Sequence, residues 1–407
     1  MLLGLTVGCA RCHDHKYDPI SQREYYQLFA YFNSIAEWGV GPNNGNSPPF
    51  IDVPASWPHL SPGEDRRQTP DPVRLRSARK EAGNGLQRPQ AGSPSTVMVM
   101  HELAAPRETF VLRRGQYNMP DPSQRVFPAV PAALAGGDQI QPRNRLELAR
   151  WLVSPANPLT ARVAVNRIWQ QFFGIGLVET SENFGSQGSP PSHPQLLDWL
   201  ASELIRKQWD LRTIQRRILS SATYQQSSLV SESLALRDPD NRLLARGPRI
   251  RLPAFALRDQ ALEASGLLVE TIGGPSAKPY MPPKIWSAIS NNKYEQDEGP
   301  NLFRRSLYTY WRRTIPPPTM MNFNAAPREV CVVRTEPTNT PLQALTLMNN
   351  TTFVESARCL AERMLRQSQT DADAQIGLGF RLVCGRFPNA SELQVLRRAH
   401  HKFLTGY

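Results

Sequence analysis

From Arg143 to the C-terminus, apolar residues return repeatedly at the i, i+3, i+4 spacing of a helix face, with turn-forming residues between the runs. A chain patterned this way buries its apolar stripes by packing helix on helix, so the sequence predicts a mainly α fold. "NRLELARWLVS" and "NPLTARVAVNRIWQQFFG" are the first two helices. In the second, Val165, Trp169 and Phe172 face inward, while Arg162, Asn166 and Gln170 form a polar row. "SHPQLLDWLASELIRKQ" offers Ser192 as cap, Pro194 in the first turn and Gln195 at the capping-box position. "DLRTIQRRILSSATYQQS" carries Leu211, Ile214, Ile218 and Leu219, and "PAFALRDQALEASGLLVET" runs to a stop at Gly273–Gly274. Thr340, Pro341 and Gln343 start a single helix through "TPLQALTLMNNTTFVESARCLAERML", and "DADAQIGLGFRLVCGR" and "NASELQVLRRAHHKFL" close the chain.

Upstream the pattern changes. Proline makes up 37 of 407 residues, about 9% against a usual ~5%, which predicts long irregular loops. Residues 40–95 lose all periodicity and read as a Pro/Gly-rich linker. "TVMVMHE" and "ETFVLRRG" read as two strands, a small β element near residues 96–114. "SQREYYQLFAYFNSIAEWG" is an amphipathic helix with a Ser21/Glu24 capping box, an apolar face of Tyr25, Leu28, Phe29, Phe32 and Ile35, and a stop at Gly39. The expected domains are therefore 1–39, the linker 40–95, a β segment and connection over 96–142, and a helical C-terminal domain over 143–407.

The net charge is +12, carried by 40 arginines and only seven lysines spread along the chain. That balance favours an anionic partner such as an acidic polymer or protein surface. The basic residues are spread out, with no basic run and interleaved aromatics of the kind that tracks nucleic acid, so nucleic acid is not an expected partner. With no apolar run of about 18 residues, no membrane span is expected either. "MLLGLTVG" lacks the charged start and length of a secretory signal, so any export signal is expected upstream of Met1.

Immediately before the first helix lies "GCARCHDHKYDPIS". Cys9, Cys12 and His13 form C-x-x-C-H, the attachment signature of c-type haem. Two thiols at this spacing add across the haem vinyl groups, and the adjacent histidine ligates iron. Met98, Met100 and His101, in the predicted strand, are candidates for the other axial position, with Met119 a weaker choice. The alternative is a structural zinc set of Cys9, Cys12, His13 and His15, with Asp18 nearby. A C-x-x-C redox pair lacks the βαβ surroundings such motifs use. Cys331, Cys359 and Cys384 show no paired spacing, and Cys359 and Cys384 read as core residues on apolar helix faces.

Two other polar groupings stand out. Arg328, Arg334 and Thr340 precede a helix start and form a possible anion site, set against a simple capped helix. Asn166, Arg167, His193 and Asp198 are candidates to meet in a cleft between helices, although His193 also suits an ordinary first-turn position. The sequence has no G-x-S-x-G elbow, H-E-x-x-H or phosphate loop, so no catalytic residue is assigned and enzymatic activity stays open.

The stretch "LGLTVGCARCHDHKYDPISQREYYQLFAYF" resembles the end of the middle domain of the planctomycete cytochrome-C-type family of exported proteins. "NRLELARWLVSPANPLTARVAVNRIWQQFFGIGLVETSENFG", "RRSLYTYWRRTIPPP" and "RTEPTNTPLQALTLMNN" are similar to that family's C-terminal domain of unknown function. The resemblance covers roughly residues 1–38 and 96–400. It implies a periplasmic or secreted protein that carries haem c through Cys9, Cys12 and His13, with a role in electron transfer or redox-linked chemistry. The competing expectation is a zinc-stapled binding or scaffold protein that recognises an anionic polymer or a protein partner; a metal-using enzyme comes third.

Overall fold

The computed structural model describes residues 1–36, 49–53, 75–76, 95–136, 141–289, 293–335, 338–368 and 371–406. Gly39, most of the stretch read as linker, and Glu336 lie outside them. The described residues form a mainly α structure with small β elements, as the periodicity predicts. The chain divides into two compact units, one of residues 2–171 with 175–225, the other of 226–407 with 172–174 and Met1.

The first unit opens with a 3-10 turn, Val7–Arg11, followed by helix α1, Gln22–Asn33. The Ser21/Glu24 capping box is formed, which satisfies two of the amide groups that a helix start leaves without partners. The buried face of α1 is not the predicted one. Tyr26 and Tyr31 go inside, while Phe29 and Phe32 remain exposed. Each buried phenol finds an acceptor, Tyr26 at the Arg11 carbonyl (3.0 Å) and Tyr31 at the Pro142 carbonyl (2.8 Å). An aromatic ring whose hydroxyl is satisfied is as good a core residue as Phe, which is why apolarity alone misplaces this face.

Strands β1 (Phe50–Val53), β2 (Leu75–Arg76) and β3 (Ser95–Met98) form an antiparallel sheet in the order β2-β1-β3. Strands β4 (Thr109–Leu112) and β5 (Pro120–Val126) form a separate hairpin. The two predicted strands therefore exist as β3 and β4, but each pairs with a different partner. The partner of β3, β1, and the strand β2 on its other side lie within the stretch that reads as linker. Tyr26 packs with Val111 and Val126 of the hairpin, and Tyr31 with Val130, Leu148 and Trp151.

Helices α2 (Arg145–Leu152), α3 (Thr160–Phe173), α4 (Pro194–Arg206) and α5 (Leu211–Leu219) follow. In α3, Val163 and Val165 are buried, and so is Asn166 from the predicted polar row. Helix α4 starts at Pro194 with His193 at its cap and no side-chain cap bond, so Ser192 does not cap it. On α5 only Ile214 and Ile218 are buried; Leu211 and Leu219 face solvent.

The second unit contains α6 (Glu232–Arg237), α7 (Ala254–Ser265), α8 (Ile285–Ile289), α9 (Pro318–Asn322), α10 (Pro341–Asn349), α11 (Thr351–Gln367), α12 (Ala372–Cys384) and α13 (Ala390–Thr405). Its core joins Ala254, Met320, Phe323 and Phe353. Helix α7 stops at Gly266 in the left-handed conformation, earlier than Gly273–Gly274. The single helix expected after Thr340 is two, broken where Asn350 turns extended and caps α11 with its own side chain. Cys384 is exposed and Cys359 half-buried, so neither is a core residue.

Candidate functional site

The motif loop is held chiefly through Arg11. Its carbonyl accepts from Gln22 Nε2 (3.0 Å) and from the Tyr26 hydroxyl (3.0 Å). Its guanidinium donates to the Gly115 carbonyl through Nε (3.2 Å) and Nη2 (2.9 Å). Asp14 Oδ1 accepts the Gln22 N–H at 2.7 Å, one of the amide groups left over at the start of α1. The loop is thus pinned between the N-terminal end of α1 and the turn of the β4–β5 hairpin. Gly115 has φ +68°, and a Cβ there would lie 2.9 Å from Cys12 Sγ, so the hairpin approaches the second motif cysteine by having no side chain at that point.

Cys9 and Cys12 are free and exposed, at the middle and just past the end of the 3-10 turn, while Ala10 between them is fully buried. His13 is exposed. Its Nδ1 lies 2.6 Å from the Asp14 carbonyl oxygen, which only accepts, so the ring proton sits on Nδ1 and the Nε2 lone pair is free to bind.

His15 behaves differently. Its side chain is buried, and its Nδ1 accepts the Asp18 N–H at 2.8 Å, which places its ring proton on Nε2. The Asp18 carboxylate, 3.7 Å away at Oδ2, is itself buried. Its Oδ1 accepts the Ser186 N–H (2.7 Å) and the Ser186 hydroxyl (2.8 Å). A Cβ at Gly185 would sit 2.4 Å from Asp18 Oδ2, so only glycine lets this backbone close over the carboxylate. A second tie joins the Phe184 N–H to the Gly4 carbonyl. Among the described residues no three His, Cys, Asp or Glu side chains converge as a metal site. Cys9, Cys12, His13 and His15 are therefore not assembled as a zinc set in this arrangement, because the His15 imidazole is spent on the turn that follows it.

Met98 and Met100 are exposed and belong with the other end of α1. The His101 carbonyl accepts from Ala36 N–H, and Leu103 N–H donates to Ser34, whereas the motif is tied to Gln22. The 12 residues of α1 separate these ends by about 18 Å. Met119, in contrast, lies on the hairpin turn whose Gly115 abuts Cys12; its carbonyl accepts the Arg113 N–H.

The remaining candidates are engaged separately. The Arg328 guanidinium stacks 4.4 Å from the Trp311 ring centre, Arg334 is exposed, and Thr340 Oγ1 accepts the Gln343 N–H in a completed capping box. Asp198 accepts from Arg162 Nε at 2.7 Å, and His193 Nδ1 contacts the Ser192 hydroxyl at 3.1 Å. Asn166 instead brackets the 178–181 loop: its Oδ1 accepts the Val178 N–H (2.8 Å), and its Nδ2 donates to the Val178 carbonyl (2.9 Å) and Ser181 Oγ (3.1 Å). Asn166, His193 and Asp198 thus each bond to a different partner.

No helix among the described residues is long and apolar enough to cross a membrane. The family model PSD1, protein of unknown function (DUF1553), matches residues 144–400, well over half of the chain. A second, PSCyt2, protein of unknown function (DUF1549), matches residues 1–37, which include the whole motif loop. No curated protein and no solved structure matches the chain. Asp18 and Ser186 thus belong to different family matches within one compact unit, and the chain is a member of the planctomycete family of cytochrome-C-associated proteins that these two domains define.

Proposed function

We propose that this protein carries a covalent c-type haem in the periplasm or outside the cell and exchanges electrons with a partner protein. The observation that carries the reading is the pairing of two free, exposed thiols with an imidazole whose Nδ1–H is already committed to a backbone carbonyl. Cys9 and Cys12 are the thioether attachment points, and His13 Nε2 is the axial ligand. The donor set fits the group: the thiols are accessible, and the hydrogen bond at Nδ1 fixes the tautomer that leaves Nε2 to bind metal. Bound haem supplies one-electron redox chemistry. The chain's own contribution is to hold the loop: Arg11 fastens it to α1 and the hairpin, and Asp18 fastens its far end to Ser186. Covalent attachment outside the cytoplasm requires export, in keeping with the family resemblance. A net charge of +12 favours a redox partner, or a polymer, with an acidic surface.

The test is intact mass and peptide mapping of the chain fused to an export signal and produced with haem-c maturation factors. The expected result is a haem-sized increment on the peptide holding Cys9 and Cys12, a Soret band, and loss of both in the C9S/C12S double variant. An unmodified peptide in a folded protein overturns the proposal.

A further inference from the structure

The unit of residues 226–407 holds a cleft of about 490 Å³, within the ~300–1,000 Å³ of small-ligand sites. The sequence sets the chemistry of its walls. One side is "YMPP", Tyr280–Pro283, continued by Pro318 at the start of α9. Prolines carry no N–H and present compact apolar rings. The other side is α10 and its junction with α11, where "NNTT" places Asn349, Asn350 and Thr351 at the break between two helices. Amides and hydroxyls thus reach the cleft where an unbroken helix would offer only its side. Leu342 and Leu345, one turn apart on α10, add an exposed apolar strip.

None of the described residues lining the cleft is Asp, Glu, Lys, Arg or His, in a chain of which 20% is charged. A phosphate, sulfate or carboxylate site draws on Arg, Lys or aimed helix amides, and a cation site on carboxylates. What the cleft offers instead is side-chain amides, each both donor and acceptor, beside flat apolar surface. These groups are held in place by one another. Asn322 Nδ2 donates to Thr346 Oγ1 (3.2 Å), and Asn350 Nδ2 donates to Thr319 Oγ1 (3.1 Å). The Tyr280 hydroxyl donates to Glu355 Oε2 (2.8 Å), which engages that carboxylate and leaves the phenol oxygen able to accept.

We infer that this cleft binds a neutral, polyhydroxylated ligand, a short segment of an uncharged hexose polymer. A pyranose has an apolar C–H face and a rim of hydroxyls that both donate and accept, which matches proline and leucine surface set beside amides. A charged ligand would meet no counter-charge, and a wholly apolar one would use none of the hydrogen-bonding capacity that the amides and hydroxyls keep beyond these internal bonds. The inference stands apart from the haem reading, since it uses none of the motif loop.

The test is a glycan array probed with the full chain, carrying neutral, sulfated and uronic-acid oligosaccharides together with proline-rich peptides, followed by calorimetry on the strongest binder. The expected result is binding confined to neutral hexose glycans and weakened about tenfold by Gln296→Ala with Asn349→Ala, exposed positions whose loss leaves the helical circular dichroism intact. Leu345→Glu, at an exposed site on α10, is a second variant expected to weaken binding by adding a charge to the wall. No neutral glycan bound, binding confined to anionic glycans or to peptides, or neutral-glycan binding indifferent to all three substitutions overturns the inference.

Discussion

Asp18 Oδ1 takes two hydrogen bonds from Ser186, one from its backbone and one from its hydroxyl, across 168 residues of chain. The loop with the C-x-x-C-H motif is therefore not a free appendage of the first domain match. Its far end is fastened into the second, whose first part, up to residue 225, lies in the same compact unit as the first match.

Removing the carboxylate takes away the charged acceptor of two partly buried bonds from Ser186 and empties the buried place of Asp18. Asp18→Ala is expected to cost about 1–3 kcal/mol in urea unfolding, with hydrogen-exchange protection lost first over residues 9–20. Gly185→Ala forces a Cβ to within 2.4 Å of Asp18 Oδ2 and is expected to cost about 1–3 kcal/mol by overpacking. In the Asp18→Ala background the obstructing oxygen is gone, so Gly185→Ala should cost much less there. Strict additivity in this double-mutant cycle would show that the two residues do not touch in solution.

Asn166 is fully buried and spends both ends of its amide on Val178, with Ser181 as a third partner. Asn166→Leu nearly preserves volume but leaves the Val178 N–H and carbonyl unpaired, a loss of about 2–6 kcal/mol from two groups at the usual cost of an unmade bond. Asn166→Asp keeps the acceptor for Val178 N–H but sets a carboxylate oxygen against a carbonyl, so it should also destabilise. Chemical denaturation of both variants decides the matter; an unchanged midpoint for Asn166→Asp would contradict the assigned amide orientation.

Local features were legible in the sequence because their causes are local. The capping boxes at Ser21 and Thr340 need only residues three positions apart, and both form. Helical periodicity located the helices of eight residues or more after Arg143 but not the short α6, α8 and α9. What it missed depends on distant chain. Nothing near Asn166 says that the 178–181 loop will fold over it, and nothing near Asp18 points to Gly185 and Ser186. The α1 face was misread because hydropathy ranks Phe above Tyr, whereas Tyr26 and Tyr31 have carbonyl acceptors waiting at Arg11 and Pro142. The break at Asn350 falls in an unbroken apolar pattern, and its signal was the asparagine itself, a good cap in any context. The motif residues Cys9, Cys12 and His13 were evident from spacing, but Gly115, which admits Cys12 to the hairpin, has only its positive φ to mark it.

Arg258 is buried, and burial pulls its guanidinium pKa below the usual range. It donates from Nη1 to the Arg304 carbonyl (2.9 Å) and Ser306 Oγ (3.2 Å), and from Nη2 to the Leu302 carbonyl (2.7 Å). A planar fork reaches these oxygens together; a lysine ammonium is a single point on a shorter reach. Arg258→Lys is therefore expected to lose about 1.5–3 kcal/mol in urea unfolding, the range for hydrogen bonds to a charged group. A Lys variant as stable as the parent would mean that one contact, not the fork, holds this segment.

Glu392 closes the start of α13 and titrates far from its ordinary value. The Arg386 guanidinium grips both carboxylate oxygens, at 2.8 and 2.7 Å, and the Asn389 N–H adds a third bond at 2.9 Å. Together, with Arg386 the larger influence, they lower the Glu392 pKa from 4.5 to about 2. Because the folded value lies below the unfolded one, the stabilisation is fully present above about pH 4.5 and is lost as pH falls through about 2. A carbon-detected NMR titration should place the Glu392 midpoint near 2 and show amide protection at the start of α13 declining across that window. Arg386→Ala should return the midpoint most of the way to 4.5 and flatten the pH dependence of α13. A wild-type midpoint already near 4.5 would show that the Arg386 grip is not maintained in solution.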